Sequence, residues 1–169
     1  MAYTVLPTVS PGDTIASATW GNIVKANIEA IKAPPTDHYE ANEASNYTTT
    51  SASLVDIDTD FELTITTTGG DIMVGFLGGF KCSAGAVMHL ELDLDGSPVG
   101  GDDGIIGVDV GNTILPAALS FAYLITGVSA GSHTITLQWK TSGGTLTMYA
   151  GAGTSTADIH PQLWIREVS

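Results

Sequence analysis

Gly127-Val-Ser-Ala-Gly131 has the Gly-x-Ser-x-Gly spacing with which hydrolases lift a nucleophilic serine onto a strained strand-to-helix turn. Here a strand pattern begins at His133 and no helix follows. His133, two residues past the motif, is expected to run away along that strand and not to reach Ser129. The segment therefore reads as a β-turn, and no catalytic residue is expected.

Carboxylates gather at Asp93, Asp95, Asp102, Asp103 and Asp109. Asp93-Leu-Asp-Gly96 looks like the start of a calcium loop, but the 12-residue ligand spacing with a closing Glu is absent. Asp95-Gly96 is better read as a hairpin turn. The oxygen-rich loop Gly100-Gly-Asp-Asp-Gly104 is where a hard cation could sit. His38, His89, His133 and His160 lack metal-ligand spacing. Lys81 beside Cys82 would favour the thiolate, yet no helix N-terminus or histidine adjoins it, so Cys82 reads as a free thiol at a strand end. It is the single cysteine, which rules out an intrachain disulfide. No metal and no cofactor are expected. The sequon Asn46-Tyr-Thr48 is idle if the protein is not secreted. Trp139, Trp164, Tyr149 and Tyr123 could build a sugar-stacking platform, but aromatics also dominate cores and subunit contacts.

The elements that would position these groups are mostly strands. The 169 residues suffice for one core-bearing domain and an appendage. Charged residues make up 14%, against roughly 25% in typical soluble domains. Such a surface is either rich in Thr, Ser and Gly or buried against another subunit. Eighteen acids against five bases give a net charge of −13. That field repels phosphate backbones and anionic lipids, so neither nucleic acid nor membrane is an expected partner. No apolar run approaches the ~20 residues of a membrane span. The N-terminus lacks a signal peptide's basic and apolar regions, so synthesis in the cytoplasm is expected.

Residues 1–16, with Pro7 and Pro11, read as an extended arm. Ser17 is a suitable N-cap for one helix, about Ala18 to Lys32. Trp20, Ile23, Val24, Ile28 and Ile31 form its one-sided stripe, and Pro34-Pro35 ends it. A lone helix of this length is marginal in water, so the stripe must dock on something. With residues 1–35 as arm and helix, residues 36–45 read as a linker and 46–169 as a β domain. There, eight or nine short strands alternate with Gly-rich turns, which means a sandwich or barrel. Ile72 to Phe80 and Ile114 to Ile125 are apolar on both faces. In a two-layer sandwich only one face meets the core, so the other should meet a neighbouring chain.

Three stretches carry a family resemblance: Tyr47 to Asp56, Gly69 to Phe76, and Leu92-Asp-Leu-Asp-Gly96. It continues through Leu124 to Lys140 and closes at Leu163-Trp-Ile-Arg-Glu167. These resemble the antiparallel jelly rolls of the tumour-necrosis-factor (TNF-like) and complement-head type, in the version common in tailed-phage structural proteins. Pro11-Gly-Asp-Thr-Ile-Ala-Ser-Ala-Thr-Trp-Gly-Asn22 is similar to a segment frequent in phage virion proteins. An arm, a short helix and a jelly roll together resemble bacteriophage head decoration (cementing) proteins.

The resemblance implies a homotrimer formed through a sheet face rich in aromatic and aliphatic residues, with Phe76, Phe80, Phe121, Tyr123 and Trp139 at its interface. It further implies a place on the phage head surface, with the major capsid protein and neighbouring trimers as partners of the helix stripe. A carbohydrate-binding jelly roll, or a tail or fibre component, is the alternative.

Overall fold

The computed structural model describes residues 18–111, 116–151 and 158–168. The expected arm and the Ser17 cap lie outside the described residues, as do Ile114 and Leu115 of the second apolar run. Helix α1 spans Ala18–Lys32, as its stripe and the two prolines dictate. Trp20, Ile23 and Val24 are half-buried, while Ile28 and Ile31 remain 45% and 53% exposed.

Strands β1 (Thr36–Glu40), β2 (Tyr47–Thr49), β3 (Val55–Asp56), β4 (Glu62–Thr67) and β5 (Gly70–Cys82) come next. They are followed by β6 (Ala86–Leu94), β7 (Ser97–Pro98), β8 (Ile106–Val110) and β9 (Ala117–Val128). The chain closes with β10 (Gly131–Thr141), β11 (Leu146–Met148) and β12 (Gln162–Glu167). Every pairing is antiparallel.

The long strands fall into two sheets. One runs β1-β12-β5-β9, with β11 and β2 continuing beside the far end of β5. The other runs β4-β10-β6-β8, with β3 and β7 as short extensions. Only the step from β6 to β8 stays within a sheet; every other long strand is followed by one in the opposite sheet. That winding of two four-stranded layers is a jelly roll, and it is read here from strand order alone.

Residues 36–40 are not linker. They form β1 and pair with β12 from Thr36↔Arg166 to Glu40↔Gln162. The segment looked unstructured because an edge strand buries little. Its inward residue Tyr39 packs edge-on against Phe61, with ring centroids 5.1 Å apart. The sandwich therefore begins at Thr36.

Alternation sets the core. Phe61, Leu63 and Ile65 point inward with Ile135, Leu137 and Trp139 from one sheet; Ile72, Val74, Phe76 and Phe80 answer from the other. The aromatics form a chain: Phe61 meets Phe76, Phe76 meets Phe80 and Phe121 at 5.9 and 5.7 Å, and Phe80 meets Trp139 at 6.5 Å. This corrects the interface expected at Phe76, Phe80 and Trp139. They are at most 2% exposed and fill the monomer's own core. Periodicity identifies two faces on a strand without saying which one is inner. Phe121 and Tyr123 are half-buried, because β9 is bonded only to β5 among the described residues and lies at the margin of the core.

Candidate functional site

Three places gather polar or exposed groups. The first lies where the chain crosses between sheets. Asp95 and Gly96 form a two-residue hairpin turn between β6 and β7, with φ of 53° and 82°. Positive φ at both central positions is the type I′ signature, and Asp is among the few L-residues that tolerate it. Asp95 is fixed from the adjacent strand β10: Thr134 N–H donates to Oδ1 at 2.8 Å, and His133 Nδ1 lies 2.7 Å from Oδ2.

The other ring nitrogen, Nε2, lies 2.8 Å from the Ser129 carbonyl and 3.4 Å from Ser129 Oγ. The imidazole thus does reach back to the motif serine, against expectation. The β9–β10 turn doubles back within two residues, which a reading of β10 as a straight strand misses.

The resulting order of serine, histidine and aspartate resembles a catalytic triad but is wired differently. A general base needs a free lone pair on Nε2. The Ser129 carbonyl and the Asp95 carboxylate are both acceptors, so both contacts are hydrogen bonds only when both ring nitrogens carry protons. The Asp95 hydrogen bond, helped by the Ser129 carbonyl, raises the His133 pKa above its usual value. The same bond, with Thr134 N–H, lowers that of Asp95.

The second place is the outer face of the β4-β10-β6 sheet. Asp56, Glu62, Asp93 and Asp95 border a broad open trough floored by Thr134, Thr136 and Gln138. Asp56 accepts from Gln138 at 2.8 Å and Asp93 from Gly96 N–H at 2.6 Å. Near it Glu91 is fully buried: Oε1 accepts from Leu92 and Gly100 N–H at 2.8 Å each, and Oε2 has no partner among the described residues. In the 100–104 loop, Lys140 Nζ donates to the Asp102 carbonyl and lies 3.3 Å from Asp103 Oδ1, so a lysine ammonium holds the loop's oxygens. No cluster of metal-ligand type occurs among the described residues. His89 bonds the Asp103 carbonyl at 2.8 Å, His160 the Ala41 carbonyl at 3.0 Å, and buried Cys82 the Gly143 carbonyl at 3.3 Å. Each serves the local fold.

The third place is the outer face of the opposite sheet. Outward positions are Met73, Gly75, Leu77, Gly79 and Lys81 on β5, and Ala118, Ser120, Ala122 and Leu124 on β9. On β12 they are Gln162, Trp164 and Arg166. In a chain with eighteen acids, none of these positions is acidic; Glu40 of β1, outward in the same sheet, borders them and accepts from Gln162 Nε2. Leu77, Leu124 and Trp164 are 42%, 45% and 37% exposed. Trp164 pairs with Gly75, which pairs with Ala122, so small residues make a level floor beside the indole. Leu77, Gly79, Pro116, Ala118, Ser120 and Ile159 form an apolar notch at one end.

Strand β9 borders this face, bonded only to β5 among the described residues. Its twelve residues include no charge and no proline. Protected edges usually carry such devices. Of the four aromatics considered for a sugar platform, Trp139 and Tyr149 are buried, Tyr123 points inward, and Trp164 alone is exposed.

No family model matches the sequence, and no curated protein matches it. Solved structures give distant likenesses. A TNF, Eiger, from S. frugiperda is 8% identical over 81% of this chain and 95% of its own, with a TM-score of 0.44. The VP2 subviral particle of infectious bursal disease virus is 16% identical over 80% and 38%, at 0.40. The C-terminal domain of EclA, a sugar-binding protein, is 11% identical over 79% of each, at 0.33. The strand order, and not these likenesses, identifies the jelly roll. No helix among the described residues is long and apolar enough to cross a membrane.

Proposed function

We propose that this chain is a non-enzymatic structural protein of a phage virion, a homotrimeric decoration protein that cements the head by binding the major capsid protein and neighbouring trimers. The observation that carries the assembly part is β9. A twelve-residue edge strand without charge or proline, flanked by exposed Leu77, Leu124 and Trp164, is a surface that a soluble monomer does not ordinarily present. Phe121 and Tyr123, half-buried along that edge, would complete their burial against a second copy. The stripe of α1, exposed at Ile28 and Ile31, is the natural grip on the capsid, with Trp20, Ile23 and Val24 behind it. Three weak grips on one rigid body give high avidity.

The test is sedimentation of the full chain with empty phage heads, beside light scattering for mass. The wild type should sediment with heads. The double variant Ile28→Glu, Ile31→Glu should keep the trimer mass and lose the heads. A variant that still decorates them would refute the docking role; a monomeric wild type would refute the assembly.

One observation favours the carbohydrate-binding alternative. The Trp164 ring lies over Gly75, so its far side is presented to solvent as sugar stacking requires. A glycan array with wild type and Trp164→Ala decides it: specific binding lost in the variant supports that reading, and no binding by the wild type ends it.

A further inference from the structure

Three chain segments meet at the end of the sandwich where β4 passes to β5 and β9 to β10. The Ser129 carbonyl accepts from Thr67 Oγ1 at 2.7 Å as well as from His133 Nε2 at 2.8 Å. Asp71 Oδ1 accepts from Gly127 N–H at 3.0 Å, two residues before that serine. His133 Nδ1 binds Asp95 of the β6–β7 turn at 2.7 Å. One imidazole therefore joins the two turns. The Asp95 carboxylate and the Ser129 carbonyl only accept, so these two bonds exist together only while both ring nitrogens carry protons.

We propose that His133 is a proton-gated lock: as an imidazolium it ties the β6–β7 turn to the β9–β10 crossover, and loss of one proton breaks one of these two ties.

Asp95 is the charged group that faces the ring. From β4 the residue opposite is Ile65, and Thr67 and Ser129 supply neutral oxygens. Asp93 and Glu62 lie on the other face of the sheet, beside Thr136. Neutral histidine has one N–H to donate. The Asp95 carboxylate is the stronger acceptor, so that proton stays on Nδ1 and the Ser129 carbonyl loses its charged donor. Thr67 Oγ1 and the Asp71 carboxylate then hold the crossover without it. The element loosened is the C-terminal end of β9, the strand bonded only to β5 among the described residues. The lock stands on this geometry whether or not the protein assembles as proposed above.

Nuclear magnetic resonance on the full chain tests it without any variant. The His133 ring should titrate above the ~6.5 of an unperturbed histidine. Protection of the amides from Gly127 to Gly131 should fall about tenfold across the same midpoint, the factor that corresponds to one hydrogen bond. In His133→Gln, which has a single side-chain NH₂ donor group, the fall should vanish. In Asp95→Asn the ring midpoint should move down. A His133 midpoint at or below 6.5, or crossover amides indifferent to it, would overturn the lock.

Discussion

The indole of Trp164 rests directly on Gly75, its neighbour across the β12–β5 ladder. A Cβ built on that glycine would lie 2.1 Å from both Cε2 and Cζ2 of the ring, far inside van der Waals contact. Gly75→Ala is therefore expected to cost ~1–3 kcal/mol, as overpacking does. In a Trp164→Ala background the same change should be neutral or stabilising, because glycine weakens a strand interior. Urea unfolding of the two singles and the double measures the coupling. Equal costs in both backgrounds would show that the ring does not need this seat.

Leu124 and Ala122 point outward beside the open edge of β9. Lysine there is the device by which natural edge strands refuse partners. Ala122→Lys with Leu124→Lys should leave the circular dichroism unchanged while the scattering mass falls to the single-chain 17.4 kDa. An unchanged oligomer mass would place the subunit contact elsewhere.

Buried Glu91 contributes through one oxygen, which accepts two backbone N–H groups; the other oxygen has no partner among the described residues. Glu91→Ala strands both donors and should cost ~1–3 kcal/mol. Glu91→Gln keeps an acceptor and removes a buried charge, so it should match or exceed the wild type in a urea titration at pH 7. A loss in Gln as large as in Ala would mean the charge itself is used.

Much of the scaffold was legible in the sequence. The α1 stripe ends at two prolines, and the alternation of β4 and β10 names their inward residues. What failed did so for physical reasons. Thr36-Asp-His-Tyr-Glu40 is polar because its strand lies at a sheet edge, so no hydrophobic period marked it. Phe76, Phe80 and Trp139 belong to segments apolar on both faces or to core strands, and composition cannot say which aromatic points to the core. The meeting of Asp95 and His133 depends on β6 pairing with β10, a contact between residues 38 apart in sequence.

Acid sensitivity follows from the same pair with the opposite sign to the alkaline lock. The Asp95 carboxyl is held below its ordinary value, so its contribution is complete above that value and is lost as pH falls through the depressed one. The His133 contribution is complete below ~6.5 and is lost as pH rises through the raised one. Between those limits, from mildly acidic to near-neutral pH, both are present. Asp95→Asn should flatten the wild-type decline in melting temperature towards low pH. Parallel declines in the two proteins would assign acid unfolding to other carboxylates.

The largely apolar outer face of β5, β9 and β12, bordered by Glu40 of β1, and the acidic trough on the opposite sheet give the molecule a polarity. Any contact that hides the first leaves the second turned outward, where copies repel one another. Stacking front to back without limit would bring an acidic trough against an apolar floor at every step and leave its carboxylates short of water. If copies associate as proposed above, that penalty favours closed rings of few members over filaments.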